Sequence, residues 1–83
     1  MRQADQIRKY AEKHFISDRK LNVGEIVEIS ARQVHDGLGL DNRFPNVVSS
    51  LSTRKFWEPL GLHPLFKEPM AARPTAVLRF RKS

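Results

Sequence analysis

An α+β domain is the fold class this sequence predicts, with elements in the order α-β-α-α-β-β and a small antiparallel sheet on a three-helix core. Three observations predict it. Apolar residues recur at helical spacing in three stretches. Two other stretches, Glu25–Ile29 and Thr75–Lys82, alternate apolar and polar residues as half-buried strands do. Glycine and proline punctuate the chain between these stretches, and no linker, repeat or low-complexity tract divides it. A chain of 83 residues supports one modest core, so residues 1–83 are taken as a single domain.

The first predicted helix spans Arg2 to Ile16. Ile7, Tyr10, Ala11 and Phe15 form its apolar stripe, extended by Ala4, while Arg8, Lys9, Glu12 and Lys13 lie outside. Arg8 and Glu12, four apart, are spaced to pair. Asp18 to Gly24 is a turn. In the short strand that follows, Val27 and Ile29 point one way and Glu28 the other.

The second helix is marked by a capping box, Ser30 with Gln33, and by a hydrophobic staple of Ile29 against Val34. Ala31, Val34 and Leu38 share its inner face. Gly37 and Gly39 end it, because glycine adopts the left-handed conformation at little steric cost, and Leu40 turns inward. The third helix begins between Asp41 and Pro45, with Asp41 or Asn42 as cap and Pro45 in the first turn. It runs over residues 42–57, ending before Pro59, and Phe44, Val47, Val48 and Leu51 share its inner side.

The C-terminal segment predicts a hairpin. Leu62 to Lys67 is its first strand, an edge or irregular one because Pro64 has no N–H to give. Glu68 to Pro74 is the tip. Thr75 to Lys82 is the second strand, with Ala76, Leu78 and Phe80 inward. The predicted core is Ile7, Tyr10, Phe15, Val27, Ile29, Val34, Leu38, Leu40, Val47, Val48, Leu51, Phe56, Leu78 and Phe80. Trp57 is either a partner contact or a lid over the core.

Composition narrows the functional classes. There is no Cys, hence no disulfide framework or thiolate metal site, which is compatible with a cytoplasmic setting. No apolar run reaches membrane-spanning length, and the polar N-terminus does not read as a signal peptide. His14, His35 and His63 lack metal-ligand spacing. His35 and Asp36 are helix neighbours expected to point apart. No nucleophile motif or Gly-rich phosphate loop is present, so neither catalysis nor a cofactor, metal or small-molecule substrate is expected.

Charge is unevenly spread. Residues 1–42 hold seven Lys/Arg against seven Asp/Glu, and residues 43–83 hold eight against two, so the whole net charge of +6 belongs to the second half. Such asymmetry suggests a polyanion-facing side, the alternative being an ordinary solvated basic surface. The outer side of the third helix carries Asn42, Asn46, Ser49, Ser50 and Thr53, bordered by Arg43, Arg54 and Lys55. Short uncharged side chains allow close approach. Asn bonds adenine through donor and acceptor together, Ser and Thr bond several base edges, and flanking cations meet phosphates. Arg73 at the hairpin tip either reaches phosphate or a minor groove or belongs to a plain flexible loop. Arg79, Arg81 and Lys82 either follow the phosphate backbone or keep the last strand soluble.

The capped helix SARQVHDGLG, the turn LGLDN, the helix RFPNVVSSLSTRKF and the hairpin ending VLRFRK, taken in this order, resemble the winged helix-turn-helix superfamily over nearly the whole chain. The resemblance implies double-stranded DNA as partner, read in the major groove by helix 42–57, with the hairpin as a wing. It implies a small transcriptional regulator or the recognition module of a larger machine, nucleoid-associated in the cytoplasm, as a homodimer or in a larger complex. The superfamily also contains members that bind only proteins. The alternative expectation is therefore an interaction module for an acidic protein partner, meeting it through the wing or Trp57. RNA binding lacks the aromatic sheet platform that stacked bases need.

Overall fold

The computed structural model describes residues 2–17, 20–66 and 71–83. Asp18 and Arg19 of the predicted turn, Lys67 of the predicted strand, and Glu68, Pro69 and Met70 of the predicted tip lie outside the described residues. The elements are α1 (Gln3–Ala11), β1 (Ile26–Ser30), α2 (Ala31–Gly37), α3 (Phe44–Ser52), α4 (Arg54–Trp57), β2 (Leu62–Pro64) and β3 (Val77–Lys82), with a π-helical segment over Glu12–Ser17 after α1. The α+β class and the antiparallel sheet follow the sequence prediction. The third predicted helix is instead two helices. No helix among the described residues is long and apolar enough to cross a membrane.

The C-terminal end of the first helix differs from expectation. Its regular part stops at Ala11, and the chain widens into the π-helical segment over Glu12–Ser17. Arg8 pairs instead with Asp5, one turn earlier. Phe15 and Ile16 lean on the core from this wider turn without being fully buried.

β3 is the central strand. The sheet order is β1-β3-β2, both pairings antiparallel. Val27 stands opposite Phe80 and Ile29 opposite Leu78, while Leu62 and Pro64 face Lys82 and Phe80 from the other side. Pro64 sits on an edge strand, where its missing donor removes no ladder bond from a second neighbour. The inward side chains of β1 and β3 are fully buried, and Ala76 just before β3 is buried with them.

Helices cover that inner face. Ile7 and Ala11 of α1, Ala31 and Val34 of α2, and Val47, Val48 and Leu51 of α3 join the strand residues in one core, with Phe56 and Leu62 closing the far end. Tyr10, Phe15, Leu38 and Leu40 pack against this core but keep part of their surface in water. Ser30 caps α2 as predicted, its Oγ accepting from the Gln33 N–H at 3.4 Å. That length places its contribution near the lower end of the roughly 0.5–2 kcal/mol such caps supply. Only this half of the capping box is formed among the described hydrogen bonds. The first N–H of α2, on Ala31, donates to the Ala76 carbonyl and so ties the helix start to the foot of the hairpin.

The two glycines at the end of α2 do different work. Gly39 is left-handed at φ +67°, and around it Gly39 N–H bonds Asp36 O while Leu40 N–H bonds His35 O, both at 3.0 Å. This is the Schellman arrangement that stops a helix. Gly37 is still helical, so it does not end α2 by a left-handed turn. Its missing Cβ makes room for Tyr10: a methyl there would overlap the Tyr10 hydroxyl and ring. Helix propensity favours Ala over Gly by about 1 kcal/mol, and overpacking against a rigid ring costs about 1–3 kcal/mol. Gly37→Ala is therefore expected to destabilise the protein in chemical denaturation. A higher denaturation midpoint for that variant would mean Tyr10 does not close against α2.

Candidate nucleic-acid interface

His35 sets the geometry where α2 gives way to α3. The residue is 5% exposed, and its ring is stacked on Phe44 at 4.0 Å with planes 10° apart. Its Nε2 accepts the Arg43 N–H at 3.2 Å, and its Nδ1 lies 3.1 Å from an Asp36 carboxylate oxygen. An acceptor at Nε2 puts the imidazole proton on Nδ1, directed at Asp36. His35 and Asp36 do not point apart as their adjacency predicts, because the ring is held under the turn and the short carboxylate reaches back to it. With Nε2 filled by a backbone donor, the ring serves to hold the turn.

The same bond fixes the residue before α3, a helix with no side-chain cap. The residue before the helix is Arg43, and neither Asp41 nor Asn42 makes a capping bond. Asn42 is left-handed at φ +52°, a conformation asparagine tolerates better than most residues. That φ carries the chain across the turn, and Pro45 falls in the first helical turn as predicted.

α3 ends at Ser52, six residues before Glu58 and well short of Trp57. Thr53 is extended, with ψ 152°. The last carbonyls are taken by side chains: Ser52 Oγ donates to Ser49 O, Thr53 Oγ1 to Ser50 O, and Trp57 Nε1 to Ser52 O at 3.2 Å. Hydroxyls that bond back to the preceding turn compete with the helix. The break also changes the phase. On one continuous helix Lys55, four after Leu51, would enter the core, and Phe56, seven after Ser49, would face water. After the break Lys55 is exposed and Phe56 is buried edge-on against Phe80 at 5.6 Å. That phase slip is legible in the sequence and is the signal that marks two helices in place of the single helix 42–57. Trp57 is half-buried, with its N–H spent on Ser52 and its ring edge-on to His63.

The outward strip of α3 is narrower than predicted. Asn46 and Ser49 are exposed, together with Pro45, which the sequence reading did not single out. Ser50 is only 5% exposed and belongs to the inner side, one turn beyond Asn46, which bonds Gln3 of α1 on that flank of α3. Thr53 is exposed but stands at the break, with its hydroxyl proton given to Ser50 O. Asn46 is held from outside its own helix: its Nδ2 donates to Gln3 Oε1 of α1 at 2.6 Å. One amide proton and the Oδ1 acceptor stay available for a base edge. No local spacing points to Gln3, which lies 43 positions upstream.

Cations flank the strip. Arg43 precedes α3, Arg54 and Lys55 follow it, Asn42 lies in the turn, and all four are exposed. Arg73 is exposed too, but on a separate segment. Its carbonyl accepts from Ala76 N–H in a tight turn whose far side is bonded to the start of α2. The structure therefore gathers Asn42, Arg43, Asn46, Ser49, Arg54 and Lys55 along α3 and its ends and leaves Arg73 on the hairpin. A shallow depression of about 240 Å³ between α1 and α4 carries charges of both signs, Asp5 and Glu12 with Arg8, Lys9 and Lys55.

No family model matches the chain, and no curated protein or solved structure matches it.

Proposed function

We propose that this chain is a winged helix-turn-helix domain that binds duplex DNA through α3, as a small transcriptional regulator or as the recognition module of a larger machine. One observation carries the reading. The exposed strip of α3 is short and uncharged, Asn46 and Ser49, and cationic side chains stand at both of its ends, Arg43 before it and Arg54 and Lys55 after it. A helix entering a major groove needs that arrangement: small polar groups where bases are, and cations where the two phosphate walls rise. Support also comes from the order of elements and from β2 and β3 forming an edge hairpin whose connection carries Arg73. The short helix α4 is an addition to the predicted order.

Selection from random duplex pools at physiological salt tests this directly. One enriched motif is expected, with affinity falling as salt rises. Asn46→Ala should cost about 1–3 kcal/mol at one base position and relax preference there, with the salt dependence unchanged. Duplex binding that is absent, or that ignores both salt and Asn46, would refute α3 as the reading helix.

A further inference from the structure

The side of the sheet turned away from the helices is a second surface, unrelated to α3. Side chains alternate along strands, so this side carries Ile26 and Glu28 from β1, Val77, Arg79 and Arg81 from β3, and His63 from β2. Leu65 continues past β2, its N–H bonded to the Arg79 carbonyl at 2.9 Å. Solvent-facing positions of an antiparallel sheet are ordinarily polar. Here three of the four exposed large apolar side chains among the described residues share one face: Ile26 at 55% exposure, Leu65 at 42% and Val77 at 38%.

The register interleaves them with positive charge. Arg81 lies between Ile26 and His63 in one row, and Arg79 lies between Glu28 and Leu65 in the next. Glu28 pairs with Arg79 at 3.4 Å, so the one Asp or Glu on this face among the described residues is already engaged. Among the described residues no carboxylate lies within ion-pairing distance of Arg81. Apolar patches set beside cations complement a ligand that alternates apolar and acidic groups.

We infer that this face docks a short acidic protein segment, whose apolar side chains cover Ile26, Val77 and Leu65 and whose carboxylate meets Arg81. Charge complementarity selects this occupant. A second copy would bring together two faces of the same net positive charge. A nucleic acid would meet the apolar side chains and Glu28 without an aromatic platform for its bases.

The test uses the full chain and a labelled peptide of alternating Leu and Asp, about six residues long as a typical strand is. Fluorescence anisotropy at low and physiological salt is compared with the same peptide carrying Lys in place of Asp. The acidic peptide is expected to bind and the basic one not. Arg81→Glu and Ile26→Ser, both at exposed positions and each checked for folding by circular dichroism, should each weaken it about tenfold or more, a loss near 1.4 kcal/mol. No binding of the acidic peptide, equal binding of both peptides, or an affinity unmoved by either variant would overturn the inference. So would self-association in sedimentation that Arg81→Glu abolishes, since the occupant would then be a second copy. The peptide experiment contains no DNA, so its result stands apart from the reading of α3.

Discussion

Phe80→Ala is expected to remove most of the protein's stability, about 3–5 kcal/mol by loss of a buried aromatic and the cavity left behind. Phe80 has no exposed surface and stands on the central strand, opposite Val27 on one side and Pro64 on the other. Phe56 and Phe66 meet its ring edge-on at 5.6 and 5.5 Å, so truncation removes the common partner of α4 and the segment after β2. A domain of this size has total stability of only about 5–15 kcal/mol, and each kcal/mol moves its thermal midpoint by roughly 4–8 °C. The midpoint should therefore fall by well over ten degrees, roughly, by the same scaling. Phe80→Leu keeps much of the volume and should cost clearly less. Val23→Ala is the contrasting control: Val23 is 81% exposed and its truncation should stay within about 0.5 kcal/mol of zero. A Phe80→Ala protein as stable as the Val23→Ala protein would contradict the packing described.

The largest effect on binding is expected from removing the flanking cations together. Replacing Arg43, Arg54 and Lys55 by Gln leaves the core untouched, since all three are exposed. If each meets one phosphate, the slope of log affinity against log salt should become shallower by about three units, at roughly 0.9 per contact. The same counterion bookkeeping puts the affinity loss near 0.1 M salt at about 10²–10³-fold. Sequence preference should survive, because phosphate contacts position the helix and base contacts specify the site. A salt slope that does not change would show that these cations face no polyanion, whatever α3 does.

Much of the inside was legible from periodicity. The stripe of Ile7 and Ala11, the alternation of Val27 and Ile29, the inner side of α3 through Leu51, and Ala76, Leu78 and Phe80 are all buried as the sequence indicates. The cap on α2 was legible because Ser30 and Gln33 interact within one turn. The candidate interface was less so. Asn46, Ser49, Arg43, Arg54 and Lys55 are exposed where the sequence places them, but Ser50 turns inward and Thr53 leaves the helix. Both departures follow from neighbours on other elements: α1 meets the Ser50 flank through the bond of Gln3 to Asn46, and the docking of Phe56 on Phe80 requires the chain to break after Ser52.

By itself, then, the sequence determined the α+β class, the inward residues of α1, β1, α3 and β3, the start of α2 and the concentration of positive charge in the second half. Each of these is decided by residues within a few positions of one another. Only the tertiary structure decided that β1 pairs with β3, that Gly37 is a seat for Tyr10, that His35 holds the start of α3, and that Gln3 holds Asn46. It also collected Ile26, Val77 and Leu65 with Arg79 and Arg81 on one face of the sheet. The Tyr10, Gln3 and sheet contacts join positions tens of residues apart, and the His35 bond spans a turn between helices. Their free energy arises when the elements pack together and is absent from any local window of the chain.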